Sequence, residues 1–196
     1  MDLTQGTPEE KRARSKKMMV WFGIGSLLMS FAGLLSAFIV SRKREDWLNE
    51  FELPSAFYIS LIVIVISSLT LIIAKRALSK SNNQLTTIGL VLTILLGFAF
   101  IYFQFQGFGQ IIEAGYNFTG PTSNITMSFI YVIAILHIAH VIVGLICLIV
   151  VIYNHFRQKY TASKMLGFDL AAMFWHFVDI LWLVLFLFLY FFRYII

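Results

Sequence analysis

Residues 172–192 read AMFWHFVDILWLVLFLFLYFF. The run meets the length of about 20 apolar residues that a helix needs to cross a bilayer. Yet His176 and Asp179 stand three residues apart in its first half. An aspartate at the centre of a lipid-embedded helix costs about 3 kcal/mol on insertion scales unless a neighbour satisfies it. The rest of the chain favours lipid as strongly. Of its 196 residues 59% are hydrophobic and 13% charged, with a mean hydropathy of +0.83, which leaves too little polar surface for a soluble domain.

Working outward from that run, four more apolar segments appear, so that the spans lie near 18–40, 55–74, 86–106, 125–152 and 170–192. Runs this long and continuous are helices, because only helices and closed barrels satisfy their backbones in lipid. The connections are short and polar, among them SRKREDWLNEFELP and KRALSKSNNQL, and they make successive helices antiparallel neighbours. The expected architecture is an all-α integral membrane protein, a bundle of five transmembrane helices. It has a polar N-terminal segment at 1–17 and one membrane domain at 18–196. That leading segment, rich in PEEKRARSKK, enters a span of about 23 residues, too long for a signal core and without a convincing cleavage site, so it reads as a retained helix.

Orientation follows from Lys and Arg. With the N-terminus cytoplasmic, that side holds 11 of them (Lys11, Arg12, Arg14, Lys16, Lys17, Lys75, Arg76, Lys80, Arg157, Lys159, Lys164), against 4 outside (Arg42, Lys43, Arg44, Arg193). The C-terminus is then periplasmic. The net charge of +5 fits loops on an anionic leaflet, and no basic block resembles a nucleic-acid-binding arm. Cys147 is the only cysteine, so there is no intrachain disulfide.

Small residues mark where helices can approach closely. Ser26, Ser30, Gly33 and Ala37 share one face of the first span. Thr93 and Gly97 do so on the third, and Gly144 with Cys147 on the fourth. The ionisable residues inside the spans are His137 and His140 in HIAH and His176 and Asp179 in HFVD, each pair on one helix face, with Asp169 at the head of the last span. A rise of 1.5 Å per residue puts His140 and Asp179 at similar depth, where they are expected to pair. Four uses are open to this intramembrane polar cluster: an interhelical clamp, haem ligation, a metal site, or a proton relay. The relay lacks a carboxylate series, since the first three spans contain no acid. A metal site is weak, since three-residue spacing on one helix is common by chance.

The residues GFDLAAMFWHFVDILWLVLFLFLYFF resemble the last helix of subunit III of haem–copper oxidases, whose core W-H-F-V-D-x-x-W is here Trp175, His176, Phe177, Val178, Asp179 and Trp182. The upstream acid of that helix is Asp169. ILHIAHVIVGLICLIV resembles the preceding helix, with His137, His140 and Gly144; Ser67, Ser68, Thr70, Gly97 and Gln104 match the second and third segments more weakly. The chain is similar to the five-helix form of the family. The resemblance implies a subunit with no haem, copper or other metal of its own, non-catalytic itself within a proton-pumping terminal oxidase. It implies subunits I and II as partners, bound phospholipid, a bacterial inner membrane, and support of assembly and proton delivery. A quinol oxidase is the near alternative to a cytochrome c oxidase. A stand-alone cytochrome b using His137, His140 and His176 is more remote, as is a small transporter. Relatives commonly carry a glutamate inside the first of these helices, where this chain has Leu27, and Gln106 and Gly107 stand where another carboxylate is common.

Overall fold

The computed structural model describes residues 6–48, 51–120, 123–161 and 165–192. Five long helices fill it: α1 (Pro8–Val40, followed by a 3-10 turn at Ser41–Lys43), α2 (Ser55–Ser79), α3 (Asn83–Glu113), α4 (Ile125–Phe156) and α5 (Leu166–Phe192). Each contains a stretch long and apolar enough to cross a membrane. All outlast the expected spans at one end or both. Hydropathy locates the part of a helix that lies in lipid, whereas its polar ends continue in water until a cap stops them.

Those caps are visible. Thr7 accepts from the Glu10 amide (3.3 Å) and Glu10 accepts from the Thr7 amide (2.9 Å), a capping box that starts α1 at Pro8. The segment at 1–17 is therefore helical from Pro8 onward. Asn82 and Asn124 accept from Leu85 and Met127 and start α3 and α4. Ser81 and Gln158 take left-handed φ values of 57° and 55° just past α2 and α4, where the chain turns out of the helix.

α2, α3, α4 and α5 form a closed ring of neighbours, and α1 leans on the seam between α4 and α5. The α2–α3 hairpin is the tightest pair. Its seam is a ladder of hydrogen bonds: Ser67 to the Thr93 carbonyl (3.4 Å), Thr70 to Thr93 (2.8 Å), and the Gln104 amide nitrogen to Ser60 (3.1 Å). Gly89 lies so close to α2 that an added Cβ would stand 2.8 Å from that of Ala74.

α1 is buried only along Ile24, Phe31 and Phe38, a seven-residue repeat. Ser26, Ser30, Gly33 and Ala37 are exposed, and nothing lies within 4 Å of a Cβ built on Gly33. This corrects the expectation that they pack against a neighbouring helix of this chain. At 100° per residue they lie about 200° around the axis from Ile24, on the opposite face. The Phe38 ring anchors the far end of α1 among Trp47 (4.9 Å), Phe192 (5.1 Å), Phe129 (5.8 Å) and Phe188 (5.9 Å).

Candidate functional site

The W-H-F-V-D-x-x-W stretch lies in α5, the helix with the largest buried share. Trp175 is completely buried, and its Nε1 donates to Ser67 of α2 at 3.1 Å. Its six-membered ring lies over Gly97 of α3 and Gly144 of α4. A Cβ at either glycine would come within 2.8 Å of that ring. One indole thus contacts three other helices at once. Any larger residue at those two glycines would displace it.

His137 is likewise fully buried, in an aromatic box. Its ring stacks on Trp182 (5.0 Å, 26° between planes) and meets Phe100 and Phe31 edge-on at 5.6 and 6.4 Å. Neither ring nitrogen has a hydrogen-bond partner among the described residues. His140 is half-buried one turn away, and its Nδ1 lies 2.6 Å from the Leu136 carbonyl of its own helix. Because a carbonyl only accepts, Nδ1 carries the proton.

The expected pairing of His140 with Asp179 is not made. Neither Asp179 oxygen has a hydrogen-bond partner among the described residues, although the carboxyl is only 4% exposed. Its polar neighbour is Ser68 of α2, which lies within electrostatic reach but without hydrogen-bond geometry. Ser68 instead lies 2.6 Å from Nδ1 of His176. The four intramembrane residues therefore fall into two groups. His137 and His140 turn toward Phe31 of α1, while His176 and Asp179 turn toward Ser68 of α2. Among the described residues no three His, Cys, Asp or Glu side chains converge as metal ligands would.

Asp169 opens α5 and pairs with Lys75 of α2 at 2.8 Å. Beside this pair is a notch of about 410 Å³ lined by Ile72, Lys75, Arg76, Ser79, Met165 and His176. On the other side of α5 a cleft of about 740 Å³ lies between α1, α4 and α5, lined among others by Gly23, Leu27, His140, Cys147, Tyr160 and Phe174. Leu27 and His140 share it, so the α1 side of the cleft facing His140 carries no acid.

Two polar contacts escaped the sequence reading. His155, expected in a loop, lies in the last turn of α4, buried, with Nε2 3.0 Å from Thr87 of α3. Ser67 and Ser68 were matched to the family's second segment, but their partners Trp175 and His176 were not readable from the sequence.

Comparison with known proteins now bears on this geometry. The family model for cytochrome c oxidase subunit III matches residues 45–194, which takes in α2 to α5 and leaves out α1. Cytochrome c oxidase subunit 3 of Alkalihalophilus pseudofirmus is 29% identical over 95% of this chain and 93% of its own length. The probable subunit 3 of Rickettsia felis is 37% identical over 74% of the chain, and subunit 3 of Spodoptera frugiperda 30% identical over 72%. The chain spans about half the length of the Rickettsia felis relative and 90% of the Spodoptera one. With the family model spanning residues 45–194, a stretch that contains Trp175, His176, Asp179 and both glycines under the indole, the chain belongs to the cytochrome c oxidase subunit III family.

Proposed function

We propose that this chain is the non-catalytic subunit III of a proton-pumping cytochrome c oxidase in a bacterial cytoplasmic membrane. It packs beside subunits I and II, which hold the haem and copper, and supports assembly, proton delivery and stability of the catalytic subunit. The observation that carries the reading is the family match across α2 to α5. The placement of the α5 motif supports it. Trp175 and Trp182 are used in packing, and His137 is sealed among aromatic rings that leave no room for a porphyrin on either face. The chain holds its N-terminus in the cytoplasm, by the 11-to-4 split of Lys and Arg. The apolar cleft beside α1 accepts phospholipid acyl chains, with Asn154 and Tyr160 near its polar end.

Purification of the tagged chain in mild detergent tests this reading. The expected result is co-elution with haem- and copper-bearing chains that oxidise reduced cytochrome c. A lone chain with its own Soret absorption, or a partner complex that accepts only quinol, overturns it.

A further inference from the structure

Asp179 poses a problem that packing leaves unsolved. It is a carboxyl 4% exposed, without a hydrogen-bond partner, in the middle of a membrane helix. Burying an ionised carboxylate without a counter-charge is very costly, and holding a proton removes the charge. The surroundings supply no cation at its depth. α1 and α3 have no charged side chain or histidine between residues 18 and 40 or between 83 and 110. From α4 comes His137, stacked on Trp182 one turn further along α5. From α2 come Lys75 and Arg76, both at the notch, with Lys75 neutralised by Asp169. That leaves Ser68 and His176.

These two bridge the carboxyl to the surface. His176 is half-buried and lines the notch, its Nδ1 lies 2.6 Å from Ser68 Oγ, and Ser68 is the polar neighbour of Asp179. The notch reaches the end of the bundle where Arg76 and Ser79 are exposed. We propose that Asp179, Ser68 and His176 form a proton-holding site, whose buried carboxyl exchanges its proton with water in the notch through the serine hydroxyl and the imidazole.

The transfer balances without any redox partner. A hydronium in the notch gives a proton to Nε2 of neutral His176. The Nδ1 proton passes to Ser68 Oγ, and once the serine hydroxyl turns from His176 toward the carboxyl its proton passes to a carboxylate oxygen of Asp179. One water is released and one carboxylate becomes a carboxylic acid. The imidazole ends neutral with its proton on Nε2, the serine is a hydroxyl again, and no electron moves. Release runs the same steps backward. The path ends at Asp179, because the next side chain along that face of α5 is Trp182, packed against Phe57, Phe100 and His137. The site stores a proton and does not conduct one across the membrane.

Infrared difference spectroscopy on membranes or purified complex containing the chain tests this. Native protein should show the C=O stretch of a protonated, buried carboxyl, assigned by its loss in Asp179→Asn, which keeps the shape. On transfer to D₂O the band should shift promptly. In Ser68→Ala the band should remain but lose its prompt shift, and Ser68→Thr, which restores the hydroxyl, should recover it. Absence of the band from native protein, a native band that does not shift promptly, or unimpaired exchange in Ser68→Ala each overturns the proposal. His176→Gln serves if Ser68→Ala does not accumulate, and must lose the prompt shift.

Discussion

Replacing Gly144 by alanine adds one methyl group at a tightly packed contact in the bundle. The new Cβ would stand 2.8 Å from Cε3 and 3.1 Å from Cζ3 of Trp175, where carbon atoms normally rest about 3.5–4.0 Å apart. The indole cannot slide away easily. Its Nε1 is held by Ser67 of α2, and its far edge already touches the Gly97 site on α3. Overpacking of this kind costs about 1–3 kcal/mol, and the rigid surroundings argue for about 2, a roughly thirty-fold loss in the folded-to-unfolded ratio. The measurement is a titration of the detergent-purified protein with SDS, followed by circular dichroism. Trp175→Phe removes the ring atoms that collide with the methyl and is itself destabilising, since it leaves a void and frees the Ser67 hydroxyl. The two changes together should therefore cost less than their sum, by about 1 kcal/mol or more. An unchanged transition for Gly144→Ala, or additivity within about 0.5 kcal/mol, would refute the claim that this indole sets the distance between α4 and α5.

Asp179→Leu should unfold no earlier than the native protein, because it removes an unpartnered buried polar group and orphans no hydrogen bond, whereas Ser68→Ala should cost about 1 kcal/mol through the lost bond to His176, both read from the same titration. Burial lifts the Tyr160 phenol in the α4–α5 connection above its ordinary range, with a smaller opposing contribution from Asn154. A group raised in the folded state contributes stability below its unfolded value and loses it as pH rises, so stability should fall above about pH 10, and less so in Tyr160→Phe. In a Cys147→Ser background, cysteines at Ser81 and Asn117 should react from opposite sides of spheroplasts, with only the Asn117 position labelled from outside by an impermeant reagent; the reverse pattern inverts the topology.

The five spans were legible because hydropathy measures the property that lipid selects for, and all five helices contain the expected segments. What hydropathy lacks is direction around the helix axis. The small-residue face of α1 shows this: Gly33 can admit a close neighbour, but its sequence does not say whether that neighbour belongs to this chain, and among the described residues none does. The same gap undid the pairing of His140 with Asp179. Rise per residue placed them at one depth, yet His140 turns to the α1 side of α5 and Asp179 to the α2 side. Ser67 and Ser68 were the missing information. Adjacent residues on a helix are about 100° apart, so one meets Trp175 and the other His176, and hydropathy alone does not separate them.

The spacing of the α5 motif now has a physical reading. Trp175 and Trp182 are seven residues apart and face the same way, so both indoles enter the ring of helices, one over Gly97 and Gly144, the other under the His137 imidazole. His176 follows Trp175 by one residue and is turned about 100° from it, which aims it at α2. Asp179 lies between these directions, close enough to the tryptophan face to be buried and close enough to the histidine face to approach Ser68. A one-residue insertion anywhere between Trp175 and Trp182 would rotate one part against the other by that same 100° and break either the indole seats or the approach to Ser68. What the motif encodes is a set of angles about one helix axis, so its length matters as much as its composition.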